Sequence, residues 1–342
     1  MPPASNDAET DSDVPSSQPE RGLRSSGMRD LGPQEMQRFR RVERVFLDVC
    51  ARQDYREIRT PALEPLHLYT ATGSLSPQLL DGVYSFLDWD GWSGERVVLR
   101  PDSTVPAARW YEEQQNGDDP ARLCYVQPVY RFAAEDDREI WQCGVELFGL
   151  GAPQADAELL LLARDFLVEL GLEPRFELAH AGLVRVVLAA AGLERAEQVT
   201  VYDRLLAGEA DVVDELVQRS PDGASAIKLL FDVDEGGAAY VANLRGALLP
   251  FAPDAAQPLD EMEAAVRALD DAGCTSVVRT AASGSFEYYS GLTFTVSSGG
   301  ESLLNGGRYD GLVHSLGDRE ASACGFAADV LLLAELATEP GQ

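Results

Sequence analysis

Trp141 to Leu147 reads as a β-strand on which Gln142, Gly144 and Glu146 share one face, while Trp141, Cys143, Val145 and Leu147 share the other. A carboxamide and a carboxylate flanking a glycine suit a small ligand with a cationic amine or an imidazole, because the glycine omits the side chain that would fill the gap. The same pattern also suits a hydrated sheet face. Glu287 to Val296 repeats the design, with Tyr289, Gly291, Thr293 and Thr295 on one face and Tyr288, Leu292, Phe294 and Val296 on the other. Two glycine-gapped polar strands favour a pocket. Asp102, in Leu99-Arg100-Pro101-Asp102-Ser103-Thr104, precedes a helix containing Arg109, where it can cap that helix or hold a ligand amine. Asn305 to Gly311, with Gly306-Gly307-Arg308-Tyr309-Asp310-Gly311, reads as a glycine-rich turn, either to bring backbone close to a ligand or simply to turn tightly.

Other chemistries lack their residues. Lys228 is the single lysine, so Schiff-base or phosphate-cradling lysine chemistry has one candidate. Gly149-Leu150-Gly151 is followed by Gln154 where a dinucleotide fingerprint needs its third glycine, and no Gly-x-Ser-x-Gly elbow occurs. Cys50, Cys124, Cys143, Cys274 and Cys324 form no C-x-x-C pair, and His67, His180 and His314 are far apart, which argues against structural zinc. An odd set of cysteines, mostly in apolar runs, fits the reducing cytoplasm. The 57 acidic against 28 basic residues give a net charge of -29, which opposes nucleic acid and acidic membrane surfaces. No apolar stretch is long enough to span a bilayer. A cytoplasmic protein without metal or cofactor is expected.

The elements that must position these residues follow from periodicity. The 342 residues, 45% hydrophobic and 25% charged, suffice for one large or two ordinary domains. Residues 1–27 are rich in Ser, Pro, Asp and Glu and read as a disordered tail, with the folded domain over 28–342. Met36, Phe39, Val42, Val45, Phe46 and Val49 predict an amphipathic helix over Gln34–Asp54, entered through Pro33. A strand over Glu57–Leu63 contains Pro61, which suits an edge or an interface, so residues 33–63 are expected to form a homodimer. Residues 83–148 alternate in period two around one helix near Pro106–Gln115, with turns at Asp90-Gly91, Asn116-Gly117 and Asp136-Asp137, which predicts an antiparallel sheet. Residues 155–270 turn mainly helical, an inserted or appended region with one strand at Pro174–Ala179. Strand signals return over Thr275–Val296, and Ala327–Leu336 reads as an apolar helix.

Taken in order, the segments over residues 27–336 resemble histidyl-tRNA synthetase and its paralogues. Gly27-Met28-Arg29-Asp30 and Glu57-Ile58-Arg59-Thr60-Pro61 are similar to the dimer-forming first motif of class II synthetases. Leu99 to Thr104, Pro128 to Phe132, and Arg138 through Gln142-Cys143-Gly144-Val145-Glu146 resemble the second-motif region. Glu287-Tyr288-Tyr289-Ser290-Gly291 and Gly306 to Val313 match the two histidine-specific segments. The resemblance implies an α+β fold, a class II aminoacyl-tRNA synthetase-like antiparallel sheet flanked by helices. It also implies a histidine-like pocket made of Asp102, Thr104, Arg131, Gln142, Glu146, Tyr288, Tyr289, Arg308 and Tyr309.

The departures from that family are specific. Arg131 remains, but the family's adenine-binding glutamate falls on Ala133, and Leu331 and Leu332 stand where the third motif has its Glu-Arg pair. The activating arginine before Tyr288 falls on Gly284, and no C-terminal anticodon-binding domain is expected before Gln342. This combination resembles the paralogue branch of ATP phosphoribosyltransferase regulatory subunits, to which Leu178-Ala179-His180-Ala181-Gly182 is also similar. The resemblance implies a non-catalytic subunit required for that enzyme's activity and for histidine feedback at the first step of histidine biosynthesis. Its implied partners are a short-form ATP phosphoribosyltransferase catalytic subunit, a second copy of itself and free histidine, with neither tRNA nor membrane. Two alternatives stay open: an ATP-dependent enzyme activating or ligating histidine or another amino acid, with Arg131 and Arg138 left for ATP, and a stand-alone histidine sensor.

Overall fold

The computed structural model describes residues 23–72, 82–89, 94–114, 120–132, 137–209, 211–231, 237–279 and 288–337. Residues 1–22 of the expected tail, the turns expected at 90–91 and 116–117, Asp136, Ala133, Gly284 and Glu287 lie outside the described residues. Helix α1 spans Pro33–Arg52, with proline in its first turn and the Glu35 carboxylate accepting the Gly32 N–H at 2.7 Å. Its apolar stripe, Phe39, Val42, Phe46, Val49 and Cys50, is buried within the chain's own core. Phe46 meets Phe166 edge-on at 5.1 Å, and Phe39 meets Trp141 at 5.2 Å. The expected two-fold interface therefore cannot rest on that stripe, which is already covered.

The strand expected over Glu57–Leu63 is broken into two. Strand β1, Arg56–Glu57, pairs with β5, Ala121–Tyr130, whereas β2, Leu63–Pro65, joins a separate sheet ordered β2-β4-β3 with β3 Ser85–Trp89 and β4 Gly94–Leu99. Between them the Thr60 and Pro61 carbonyls accept from the buried Arg100 guanidinium, each at 2.8 Å, instead of from a neighbouring strand. Pro61 has no N–H to offer a ladder, so the break falls there. β1 still lies at an edge, as expected of this stretch. Helix α2 covers Leu66–Ala71 and α3 covers Thr104–Gln114.

The main sheet runs β1-β5-β6-β11-β10-β9-β7-β8, with β6 Glu139–Phe148, β7 Arg175–His180, β8 Thr275–Val278, β9 Leu292–Ser298, β10 Glu301–Arg308 and β11 Ala323–Asp329. Its centre is antiparallel, while the outer pairs β1-β5 and β7-β8 are parallel. The back face carries Cys143, Val145, Leu147, Phe326, Phe294 and Phe176, which pack into the large core with helices α4 Gln154–Glu169, α10 Ala256–Asp271 and α12 Val330–Leu336. The front face is covered by a second cluster, in which Val105, Ala108 and Leu312 of α3 and α11 (Gly311–Leu316) meet Leu123, Phe148 and Tyr309.

The stretch 155–270 is mainly helical, through α5 Ala181–Ala190, α6 Arg195–Leu206, α7 Val212–Arg219, α8 Ala224–Phe231 and α9 Ala238–Leu248. It is stitched into the main sheet by β7, which pairs with β8 and β9, and by α4 and α10, which share the back-face core. Asn305–Arg308 is not a turn but the end of strand β10, and Ala323–Asp329 is strand, so the closing helix begins at Val330 rather than Ala327. The glycines that suggest a turn are there for close packing: a Cβ on Gly306 would lie 2.6 Å from the Gly325 carbonyl oxygen.

Candidate functional site

Directly opposed residues of antiparallel strands share a face, so the register defines what surrounds Glu146. Gly144 faces Tyr125 of β5 and Ala327 of β11, while Glu146 faces Leu123 and Gly325. Gly307 of β10 continues the row from Gly325, and Thr293 of β9 continues it from Gly307. This glycine floor seats aromatic rings. A Cβ on Gly144 would lie 2.5 Å from the Tyr125 hydroxyl oxygen, one on Gly307 would lie 2.7 Å from the Tyr289 ring, and one on Gly325 would lie 2.5 Å from the Tyr309 hydroxyl. The gap expected above Gly144 for a ligand is thus occupied by Tyr125, which the sequence pattern did not single out.

Glu146 is 1% exposed and its partners are hydroxyls. Oε1 accepts from Tyr125 at 3.0 Å, Oε2 accepts from Tyr309, and the Thr104 hydroxyl bonds the same carboxyl. Burial pushes the carboxyl well above the ordinary glutamate range; the Thr104 and Tyr125 bonds oppose this, and the Asp102 charge adds to it. Tyr288 stacks on Tyr309 with centroids 5.2 Å apart and meets Tyr289 edge-on at 5.1 Å. Burial, followed by the Glu146 charge, pushes the Tyr289 hydroxyl up to about 12. The result is a tyrosine cage around one carboxyl that no guanidinium among the described residues reaches. Such a group can accept from an imidazole N–H or neutralise an imidazolium.

Asp102 does what its position suggested: its carboxylate accepts the Val105 N–H at 3.0 Å at the start of α3. Burial raises its pKa, and the charge of Arg131 opposes that shift. Arg131 is exposed, with Nε donating to the Pro101 carbonyl at 2.8 Å, and Gln142 is half-buried in register with Gln127 and Asp329. Thr104, Tyr288, Tyr289 and Tyr309 converge on Glu146, whereas Arg308 does not. Its register partner is Cys324, opposite Leu147, so Arg308 lies on the back of the sheet and pairs there with Asp156. The misplacement has one cause, since reading 305–311 as a turn loses the strand parity that sets its face. Alternation also fails for Tyr288 and Tyr289, because β9 starts only at Leu292.

Beyond Gln142 the face changes character. Asp329 caps α12, its Oδ1 accepting the N–H groups of Leu331 at 2.8 Å and Leu332 at 3.2 Å. Burial raises its pKa, the two helix N–H groups oppose this, and Asp137 and Glu335 add negative charge. Arg138 is turned aside, its guanidinium 4.4 Å over the Phe132 ring and its N–H donating to the Gly27 carbonyl at 2.7 Å. At this end, then, the Asp329 carboxylate holds the start of α12 while the Leu331 and Leu332 side chains pack against the back-face core.

The family model described as histidyl-tRNA synthetase matches residues 27–333. The chain belongs to that family. Within it, the chain is 42% identical over 307 residues to the ATP phosphoribosyltransferase regulatory subunit of Dehalococcoides mccartyi (strain CBDB1), covering 89% of this chain and 74% of that one. It is 30% identical over 310 residues to the histidine–tRNA ligase of Methanocaldococcus jannaschii, covering 88% and 72%. A crystal structure described as an ATP phosphoribosyltransferase regulatory subunit/histidyl-tRNA synthetase from Bacillus halodurans superposes with a TM-score of 0.81 at 26% identity, covering 94% of this chain and 84% of that one. The histidyl-tRNA synthetase-like sheet and its flanking helices are therefore those of the family. No helix among the described residues is long and apolar enough to cross a membrane.

Proposed function

We propose that this chain is a regulatory, non-catalytic subunit of ATP phosphoribosyltransferase, required for that enzyme's activity and for its histidine feedback in the first step of histidine biosynthesis. The observation that carries the reading is the divided sheet face: hydroxyls and a carboxyl suited to an imidazole at Glu146, and a self-capped, acidic helix start at Asp329. The relatives named as such regulatory subunits support it. In this reading Asp102, Thr104, Gln142, Glu146, Tyr288, Tyr289 and Tyr309 line the histidine pocket, with Arg131 at its mouth and Arg308 supporting it from behind. The partner is a short-form catalytic subunit, in the cytoplasm. A second copy of this chain docks on the small sheet, where Leu63, Phe86, Leu87 and Trp89 are exposed.

The test is co-purification with a short-form catalytic subunit, followed by assay of the complex with and without histidine. Activity that needs this chain and falls with histidine is the expected result. A catalytic subunit that is fully active alone and indifferent to this chain would reject the reading and leave a stand-alone sensor.

A further inference from the structure

The turn that follows the tyrosine pair is held from the back of the sheet by two separate routes. On the first, Arg308, 3% exposed, donates from Nη2 to Asp156 of α4 at 2.7 Å and from Nη1 to Asp310 at 2.9 Å. Asp310 in turn accepts from the Ser290 hydroxyl at 3.2 Å, and the Asp310 N–H donates to the Ser290 oxygen at 2.9 Å. The Arg308 side chain also fills the space beside Gly291, where a Cβ would lie 2.8 Å from its Cδ.

On the second route, the Ala181 N–H at the start of α5 donates to the Gly291 carbonyl at 2.9 Å, and a Cβ on Gly182 would lie 3.0 Å from the Ser290 carbonyl oxygen. That helix start is fixed by His180, whose Nδ1 accepts the Leu183 N–H at 3.1 Å. Nε2 therefore carries the proton that bonds Glu261 of α10 at 2.9 Å. Both routes end on Ser290-Gly291. Tyr288 and Tyr289 immediately precede this turn, and Tyr309 lies between Arg308 and Asp310.

We infer that Ser290 and Asp310 are positioning residues that fix Tyr288, Tyr289 and Tyr309 around Glu146, and that Arg308–Asp156 and His180–Glu261 tie this arrangement to the packing of α4, α5 and α10. The pocket and the helical stretch are then one coupled unit. A contact that shifts α10 or α4 alters ligand affinity, and a ligand in the cage reciprocally stiffens those helices. The ligand in this inference rests on the proposed histidine pocket; the geometry of the turn does not.

Two readouts on the full chain test it. The first is hydrogen exchange without ligand over 288–291 and 309–310, in the parent, Ser290→Ala and Glu261→Leu. Losing the two Ser290–Asp310 hydrogen bonds, or the acceptor for His180 Nε2–H, should speed exchange there by about two- to tenfold. The second is histidine affinity by calorimetry, expected to weaken by about the same factor in Ser290→Ala, with the urea midpoint nearly unchanged and Ser290→Thr restoring the parent value. Unchanged exchange over 288–291 in both variants overturns the inference, as does a loss of affinity matched by a loss of stability that threonine does not rescue. If the parent binds no histidine, the pocket reading fails, and the exchange result still decides whether the turn is positioned from behind.

Discussion

At Glu146 the front face of the sheet presents three hydroxyls and a carboxyl over a floor of glycines, whereas at Gln142 on the same strand it presents Asp329 closing off a helix start. The two surfaces are built by the same pair of strands, β6 and β11, in one unbroken register from Ala323↔Phe148 to Asp329↔Gln142. Their fates are nevertheless independent. The cage depends on side chains from α3, β5, the segment before β9 and the residue after β10, and none of its hydrogen bonds comes from α12. In the proposed reading, Asp329, Leu331 and Leu332 can therefore close the Gln142 end of the face without disturbing an imidazole site at Glu146. The two ends share strands but no side-chain hydrogen bonds.

The largest effect expected at the cage end comes from Gly325→Val. Its Cβ would lie 2.5 Å from the Tyr309 hydroxyl and would also meet the Glu146 carboxyl and the Val145 carbonyl, which is backbone and cannot swing away. Overpacking of this kind costs about 3 kcal/mol. Urea unfolding should show the loss, and any stabilisation by histidine should vanish with it. A variant with the parental midpoint and an intact histidine response would show that the glycine floor does not shape the cage.

Glu146→Gln probes the same end through pH. Folding holds the Glu146 carboxyl above its ordinary pKa by burying it, so the folded state keeps a proton that the unfolded chain releases. Stability linked to this group is fully present below the ordinary glutamate pKa and is lost as pH rises from there through the raised value. The slope is at most about 1.4 kcal/mol per pH unit. Glutamine has no such proton to lose, so the difference between parent and variant should shift in the variant's favour as pH rises. Parallel stability curves from pH 4 to 8 would mean that the carboxyl is ionised in the folded protein.

Much of this comparison was legible in the sequence, but unevenly. Helix α1 and the faces of β6 follow from local periodicity, so Phe39, Val42 and Phe46 fall where expected, as do Glu146 and its apolar neighbours. Non-local register is not written in periodicity. Tyr125 enters the cage because it opposes Gly144 across two strands, and nothing near Tyr125 announces that pairing. Gly306 and Gly307 look like a turn because glycine serves both turns and close approaches. Once that segment is taken as a turn, Arg308 loses its parity and lands on the wrong face. The break after β1 is equally hidden, since it depends on Arg100 reaching the Thr60 and Pro61 carbonyls from a segment about 40 residues further along the chain.

A smaller effect is expected at the other end. Asp329→Ala removes the acceptor for the Leu331 and Leu332 N–H groups, and loss of such a cap costs about 1 kcal/mol. The expected result is a modest drop in the urea midpoint with the histidine response of the chain unchanged. If histidine affinity falls together with the cap, the two ends are coupled and their separation is wrong.

The smallest expected effect is none, in pyrophosphate exchange with ATP and any amino acid. Activation needs donors on the outer phosphates of ATP, and the described residues at this end supply few. Leu331 and Leu332 cannot donate from their side chains, and their N–H groups are already bonded to Asp329. The Asp329 carboxylate repels the triphosphate, and the nearby Arg29 guanidinium is already shared among Glu35, Asp137 and Glu335. Arg131 is bonded to the Pro101 carbonyl, and Arg138 stacks on Phe132 with its backbone N–H bonded to Gly27. Exchange should sit at the buffer control for all twenty amino acids, and the double variant Asp329→Ala, Leu332→Arg should bind ATP measurably better than the parent because it exchanges a repelling group for an attracting one. Histidine-dependent exchange above the control in the parent would overturn the reading of α12 as a closed end and favour an amino-acid-activating enzyme.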